Sequence, residues 1–284
     1  MLKKFIFTGV LLAIVSWAGN MYYYNSQQLE RPIMMKHYYE LPKEHIDFFR
    51  LHYITNKVEQ MDIAWVEFPE LGEHHLAISS DQSHDQGNYY QSHKIKTLHL
   101  TTYHDSLPKQ KEDIILTKMT AHFTNGDSHT YEIGEIVFKE SNRGPFQFRG
   151  SGGSSDGTGY DNMSSSEMGL EVTDVTIRGH ERLGNFSLTI NKQEFEPKSK
   201  ENGITTMKLQ GKEEALPIRF LNVKHAFSFE SDDPNRFHFY SIIPIINGLK
   251  ENGEPFKQDF HANYEPYFSE KELKQYMKAA KENN

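Results

Sequence analysis

The chain has 284 residues, a net charge of −8, 13% aromatic residues and no cysteine. The absence of cysteine excludes a disulfide-linked partner, a thiolate metal site, a cysteine nucleophile and a thioether-linked lipid. The acidic balance argues against a nucleic-acid-binding protein, which needs a basic surface to meet phosphates. Disordered chains are poor in aromatic residues, so we expect most of this chain to fold.

The N-terminus carries the clearest targeting signal. Lys3 and Lys4 precede an apolar, charge-free stretch over 5–24, which just reaches the roughly 20 residues that a membrane-spanning helix needs. We therefore predict a signal-anchor or transmembrane segment over 1–24, in a single-pass protein of the cell membrane with its C-terminal domain outside the cytoplasm. The alternative is secretion after signal cleavage near Ala18, although that signal would be unusually short. A buried helix or strand is the least favoured alternative.

The remainder divides into a tether and a domain. Residues 25–40 begin with a polar run and contain Pro32, which discourages a long helix, so they are predicted to form a tether. Residues 41–284 are predicted to form an extracytoplasmic β-rich domain. The Gly/Ser-rich segment 150–166 cannot bury much apolar surface, so we expect a mobile loop or a linker between two subdomains.

Most of the domain shows the composition and alternation of β-strands. A short helix opening at Pro42 competes with a strand for the residues that follow, and the polar segment 81–91 is predicted to be a loop. Strands are predicted over 62–68, 75–79, 94–103, 170–177, 186–190, 218–229 and 237–246. We expect the last two to pair, with Pro244 better suited to an edge than to a sheet centre.

The clearest element is a β-hairpin over 114–139. Its turn, 124–127, contains Asn and Gly, which tolerate positive φ. Alternation places one set of side chains on a single face of the first strand, namely Ile115, Thr117, Met119, Ala121 and Phe123. The return strand begins with Tyr131, Ile133 and Val137.

These elements predict a mainly β fold of antiparallel sheets, sandwich-like, with an N-terminal hydrophobic helix and a C-terminal amphipathic helix. Ser269 and Glu272 have the spacing of a capping box, in which each side chain binds a free backbone N–H at the helix start. Leu273, Tyr276, Met277 and Ala280 follow on one helix face.

Histidine is the one compositional outlier that could carry chemistry, with 15 in the chain. His74, His75, His84 and Asp85 fall close together and are the best candidate metal ligands. No spacing matches a known metal site, so surface histidines are the favoured interpretation. Three further histidines follow, the last beside Asp105: His93, His99 and His104. His93 and His99 would face the same side of a strand, but about 20 Å apart, too far to share a metal.

Two further motifs are weak. Residues 153–157 match G-x-S-x-G around Ser155, but a Gly/Ser-rich stretch produces that match by chance and no helix is predicted after it. Asp156 and Glu167 have the separation of an EF-hand loop, but Asp161 stands where the glycine belongs.

Four other residues with polar groups have plainer interpretations. Lys94 and Lys96, with Tyr103, are too few for a nucleic-acid surface and indicate a solvated strand face. His225 shares a strand face with apolar residues, which favours a hydrogen-bonded core or edge histidine over a catalytic one.

The function predicted from these features is a membrane-tethered extracytoplasmic domain that binds or scaffolds at the cell envelope without catalysis. Its expected partners are the membrane, through the N-terminal segment, and an envelope protein or polymer, with no nucleic acid. No cofactor or metal is expected, and catalytic residues stay unknown. The alternatives are a metal-dependent envelope hydrolase built on the region from His74 to Asp85, and a purely structural envelope component.

Overall fold

A computed structural model describes residues 2–46, 48–58, 61–72, 75–78, 90–101, 112–154, 157–209 and 216–282. The predicted fold class is confirmed: the chain is mainly β, with one helix at each end. In chain order the first elements are α1 (Leu2–Gln27), β1 (Ile33–Met34), β2 (His37–Pro42), β3 (Phe48–Asn56), β4 (Ile63–Glu67), β5 (His75–Ile78), β6 (His93–Thr101), β7 (Ile114–Phe123) and β8 (Ser128–Lys139).

The second half of the chain contains β9 (Gln147–Gly153), β10 (Thr158–Ser164), β11 (Leu170–Arg178), β12 (Ser187–Ile190), β13 (Gln193–Glu201), β14 (Ile204–Leu209), β15 (Leu216–Ile218), β16 (Phe220–Ala226), β17 (Phe239–Ile242), β18 (Ile245–Leu249), β19 (Pro255–Asp259), β20 (Ala262–Tyr264) and α2 (Glu270–Glu282). Short 3-10 turns lie at Lys43–His45, Pro69–Leu71, His180–Arg182 and Pro234–Phe237.

The strands form two ten-stranded sheets. The first has the order β1-β3-β6-β5-β4-β7-β8-β2-β17-β20, and the second has the order β19-β18-β11-β14-β13-β12-β16-β10-β9, with β15 paired to β11. Pairing is antiparallel except for β2, which runs parallel to both β8 and β17. Because β17 and β20 come from the end of the chain, the first sheet joins residues that are far apart in sequence.

Three clusters of buried apolar side chains stabilise the fold. The largest packs the second sheet against Tyr240 and Ile242 of β17. Another lies within the first sheet, around Leu51, Leu100 and Phe138. The third joins α2 to the beginning of the domain.

The predicted hairpin is present as β7 and β8, but the pairing register shifts between Leu116 and Lys118. Between these two pairs β7 advances by two residues and β8 by four, so the pairing is irregular here and the two faces of β7 are not continuous across it. Leu116 is therefore fully buried, whereas Ile115 and Thr117 are exposed. The predicted single face holds only from Met119 onward.

The short helix considered after Pro42 is only a 3-10 turn, and the following residues form β3, as the alternative had it. The predicted loop 81–91 lies outside the described residues except at its end.

The mobile loop predicted over 150–166 is wrong, because β9 and β10 occupy most of the segment and pair with each other. β10 also pairs along its whole length with β16. Backbone hydrogen bonds hold a strand whatever its side chains, so a low apolar content did not prevent pairing here. A division into subdomains at this segment stays a prediction.

The predicted pairing of 218–229 with 237–246 is also wrong. β16 lies in the second sheet between β10 and β12, whereas β17 lies in the first sheet between β2 and β20. Pro244 stands between β17 and β18, where the chain crosses from one sheet to the other. A residue without a backbone N–H suits that crossing, since no ladder needs its donor.

Helix α1 is long and apolar enough to cross a membrane over Lys4–Gln27, and none of its apolar window is buried. At about 1.5 Å per residue, a helix of these 24 residues is longer than the roughly 30 Å thickness of a bilayer core. The tether over 25–40 stays a prediction; in the structure, parts of this segment belong to α1, β1 and β2. The helix continues to Gln27, Leu29 is already buried, and β1 begins at Ile33.

Candidate functional site

A cleft of about 570 Å³ opens where the β9–β10 hairpin approaches the segment that follows Phe260. Its volume lies within the usual range for small-ligand sites. We call this site the cleft; it is lined by Ile95, Ser151, Gly152, Gly153, Ser154, Thr158, Gly159, Tyr160, Asp161, His225, Phe239, His261, Asn263, Glu265, Pro266 and Tyr267.

Asp161 is the buried carboxylate of the cleft. It stands on β10 opposite Ser151 of β9 and Val223 of β16, and only 7% of it is exposed. Its Oδ2 accepts a hydrogen bond of 3.4 Å from the backbone N–H of His261. Burial raises the pKa of this carboxyl, and the His261 N–H opposes the shift. The side chain can therefore accept hydrogen bonds as a carboxylate, or donate one when it is protonated.

His225 is the buried imidazole of the cleft. It lies on β16 with 8% exposure, among the rings of Phe186, Phe227 and Phe260. Burial lowers its pKa to about 4, so the ring is neutral at ordinary pH. Its Nδ1 is buried and has no hydrogen-bond partner among the described residues. An orphaned polar atom is costly in a protein interior, which suggests that a bound molecule would complete it.

Glycine makes room for this ring. Gly159 is the partner of His225 across β10 and β16, and a Cβ at residue 159 would lie 2.5 Å from the imidazole Nε2. Gly152 plays the same part for Tyr160, whose ring would lie 2.6 Å from a Cβ at 152. The Gly content that predicted a loop thus serves to seat two rings on the hairpin.

The rim of the cleft is aromatic and acidic. Tyr267 is 76% exposed and Tyr160 is 43% exposed, so both present ring faces to solvent. Asp161 and Glu265 supply carboxyl groups, whereas none of the described residues lining the cleft is lysine or arginine. The cleft therefore favours neutral or cationic ligands that offer hydrogen-bonding groups and an apolar face.

None of the described residues that line the cleft is arranged as an activated nucleophile. Ser154 lies in the hairpin turn, where its backbone N–H donates to the carbonyl of Thr158. No hydrogen bond joins His225 to a serine or a carboxylate among the described residues. The G-x-S-x-G match spans this turn between two antiparallel strands, not a strand-to-helix turn, and its Ser155 lies outside the described residues. Polar binding is the chemistry that these contacts support.

The predicted histidine cluster cannot be placed. His74, His84, Asp85, His104 and Asp105 lie outside the described residues, and only the backbone of His75 is described, in β5. Across the part of the chain that the structure describes, no group of three or more candidate ligands could hold a metal ion. Of the EF-hand candidates, Asp156 is also outside that part, and Glu167 pairs with Lys250 at 3.2 Å.

The histidines of β6 are not surface residues. His93 is 1% exposed and His99 is 9% exposed. The prediction that Lys96 lies on a solvated strand face is wrong. This side chain is buried, and its Nζ lies 3.2 Å from Asp62 Oδ2. Tyr103 lies outside the described residues. These side chains pair within the fold instead of forming a solvated strand face.

Sequence reasoning named His225, but as a hydrogen-bonded core or edge histidine, and it missed most of the cleft. Asp161 appeared only as a flaw in an EF-hand pattern, and nothing pointed to His261, Glu265 or Tyr267. Only the alternation of β10 could have placed Asp161 on an inward face. His261, Glu265 and Tyr267 lie on a segment that follows a crossing between the two sheets. No local sequence pattern predicts where such a segment is placed.

Comparisons with known proteins give no family. No protein-family model matches the chain, and no curated protein matches it in sequence. Among solved structures, the fibronectin(III)-like modules of Clostridium thermocellum CbhA show 10% identity over 83% of this chain and 95% of theirs, with a TM-score of 0.22. Enterococcus faecalis MSCRAMM ACE shows 8% identity over 86% of this chain and 97% of its own, with a TM-score of 0.26. TM-scores this low carry no argument about the site.

Proposed function

We propose that the chain is a membrane-tethered, extracytoplasmic binding protein whose cleft holds a polar component of the cell envelope. The membrane anchor in this proposal is α1, an exposed apolar helix of sufficient length to span a bilayer. Lys3 and Lys4 precede it, which favours a cytoplasmic N-terminus by the positive-inside rule. The β domain then lies outside the cytoplasm.

The observation that carries the binding role is the side chain of His225, which lines the cleft and whose buried Nδ1 has no hydrogen-bond partner among the described residues. A neutral imidazole with a free nitrogen accepts or donates one hydrogen bond according to its tautomer. Asp161 adds a second hydrogen-bonding group on the neighbouring strand. Two buried polar groups beside exposed tyrosine rings suit a ligand with hydroxyl or amine groups on an otherwise apolar frame.

The charges of the cleft narrow the ligand class. With Asp161 and Glu265 in its lining, the cleft repels phosphates and polyanions and accepts neutral or amine-bearing molecules. Sugars of an envelope polymer have this chemistry, because each ring offers hydroxyl or amine groups at its edge and C–H groups at its face. We therefore expect a neutral or cationic oligosaccharide as the ligand.

The test uses three soluble oligosaccharides of equal length as probes. They are oligomers of N-acetylglucosamine (neutral), of glucosamine (cationic) and of galacturonic acid (anionic). Calorimetry with the detergent-purified full chain should show binding of the first two and none of the third. His225→Phe, which keeps a ring but removes both nitrogens, should weaken binding by about tenfold or more, or ~1.4 kcal/mol. Phe220→Ala is the control, because Phe220 is 65% exposed and does not line the cleft.

Three results would contradict the proposal. One is binding of the anionic probe alone, which would require a basic site elsewhere. Another is equal binding by the wild type and His225→Phe, since the imidazole would then have no ligand role. The third is no binding of any probe.

A further inference from the structure

The two helices meet at the start of β6. The Nε2 of His93 donates a hydrogen bond of 2.8 Å to the carbonyl of Gln27, the last residue of α1. Two residues earlier, the backbone N–H of Gln91 donates at 3.0 Å to the carboxylate of Glu270, the first residue of α2. One short segment of chain thus holds α2 beside the place where α1 leaves the domain.

The chain is fixed to the domain directly after the end of α1. Leu29 is 6% exposed and packs in the same apolar cluster as Leu273 and Met277 of α2. The side-chain amide of Asn56 binds both the N–H and the carbonyl of Leu29, each at 2.8 Å. If α1 spans a membrane, α2 lies at the membrane surface.

The outer surface of α2 is basic in its last turns. Leu273 and Met277 face the core, and Lys278 and Lys281 are exposed. Lys274 and Lys281 are seven residues apart, so they share one flank of the helix. Both cations act on His93, whose pKa is lowered chiefly by burial and further by these lysines. His93, which binds the last residue of α1, therefore lies within the electrostatic reach of that flank.

Acidic neighbours offset only part of this charge. Glu270 pairs with Lys274 at 3.2 Å and also binds Gln91. Glu272 is turned to Arg236, at 2.7 Å. Arg31, four residues beyond the end of α1, is another exposed cation close to that end in sequence, and its Nη1 lies 3.1 Å from His129 Nδ1.

We infer that Lys274, Lys278 and Lys281 bind the headgroups of anionic phospholipids around α1 and hold the domain against the membrane. The inference rests on the proposed membrane span but not on the cleft. A lysine near an anionic membrane surface strengthens attachment by about fivefold, and the effect decays within about 8 Å at physiological salt. Only lysines that are held close to the membrane gain from this attraction. The lysines of α2 meet that condition because α2 lies beside the end of α1.

The test places the full chain in lipid nanodiscs. The chain contains no cysteine, so Gln275→Cys on the exposed side of α2 takes a single donor dye, with the acceptor dye on lipid headgroups. We expect higher energy transfer in discs containing phosphatidylglycerol than in discs of phosphatidylcholine alone, and loss of the difference in high salt. Lys274→Gln/Lys278→Gln/Lys281→Gln should abolish it.

The control is Lys192→Gln/Lys198→Gln/Lys208→Gln, which removes the same charge from β13, β14 and the β12–β13 turn and should leave the difference intact. Equal transfer in both lipids, or a response unchanged by the α2 substitutions, would overturn the inference while leaving the membrane span standing. Failure of the chain to enter discs of either lipid would overturn the span as well.

Discussion

The imidazole of His225 lies over Gly159, its partner across the β10–β16 pair, at a distance that leaves no room for a Cβ. A single hydrogen atom at residue 159 thus determines where the only buried imidazole of the cleft among the described residues can sit. The relationship couples the backbone of the hairpin directly to the candidate binding group.

Gly159→Ala should therefore displace the ring of His225. The new Cβ would meet Nε2 at 2.5 Å, and overpacking of this kind costs about 1–3 kcal/mol. We expect a lower free energy of unfolding in urea and weaker binding of the glucosamine probe. Gly150→Ala, in the same hairpin with nothing within 4 Å of the new methyl group, should leave both unchanged. Equal effects of the two substitutions would show that the ring contact is unimportant.

Part of the fold and of the cleft could be predicted from the sequence, and part could not. The β7–β8 hairpin was predictable because its alternation and its Asn-Gly turn act over a few residues. The irregular pairing between Leu116 and Lys118 was not, because it leaves the composition unchanged while changing which face of β7 is buried. The β9–β10 hairpin was missed since its stability comes from backbone pairing with β16, and its glycines serve as spacers for rings from the opposite strand. The partners of β16 and β17 depend on which sheet each strand joins, which sequence proximity does not report.

Buried histidines predict a loss of stability in acid. Burial lowers the pKa of His52 to about 3, with Arg50 and His99 acting in the same direction. The unfolded chain takes up a proton below about pH 6.5 and the folded chain does not until about pH 3, so the free energy of unfolding falls between these values. The loss is up to about 1.4 kcal/mol per pH unit for each such histidine.

His52→Phe provides the check on this pH dependence. The imidazole of His52 stacks on Phe239 at 3.9 Å, so a phenyl ring keeps the packing and removes the titrating group. Urea unfolding measured from pH 7 to pH 4 should show a shallower decline for the variant than for the wild type. Identical slopes would mean that His52 is protonated at the same pH in the folded and unfolded states.

A buried ion pair predicts a large mutational effect where β2 and β8 meet. The Nζ of Lys139 lies 3.2 Å from Glu40 Oε1, and Glu40 is 5% exposed. Lys139→Met would leave that carboxylate buried without its cation, which costs about 3–5 kcal/mol. The matched control is Lys43→Met, whose partner Glu140 is 76% exposed and whose loss should cost less than ~1 kcal/mol. Comparable urea midpoints for the two variants would contradict the structure here.

The capping box predicts the stability of α2. Ser269 Oγ lies 2.6 Å from Glu272 Oε2, and the Glu272 N–H donates to that hydroxyl at 3.3 Å. Ser269→Ala should cost about 1 kcal/mol, and Ser269→Thr should restore most of it. Hydrogen exchange over 270–282 would show faster exchange in the alanine variant alone. Unchanged exchange would indicate that packing of Leu273 and Met277, not the cap, holds the helix.

The most direct test of the proposed membrane topology is protease digestion of intact cells expressing the full chain, followed by alkaline carbonate extraction and N-terminal sequencing of the retained fragment. The account predicts that external protease removes the β domain, while the membrane keeps a fragment that contains α1 and begins at or near Met1. A soluble protein beginning at Gly19, or a domain digested only after lysis, would contradict it.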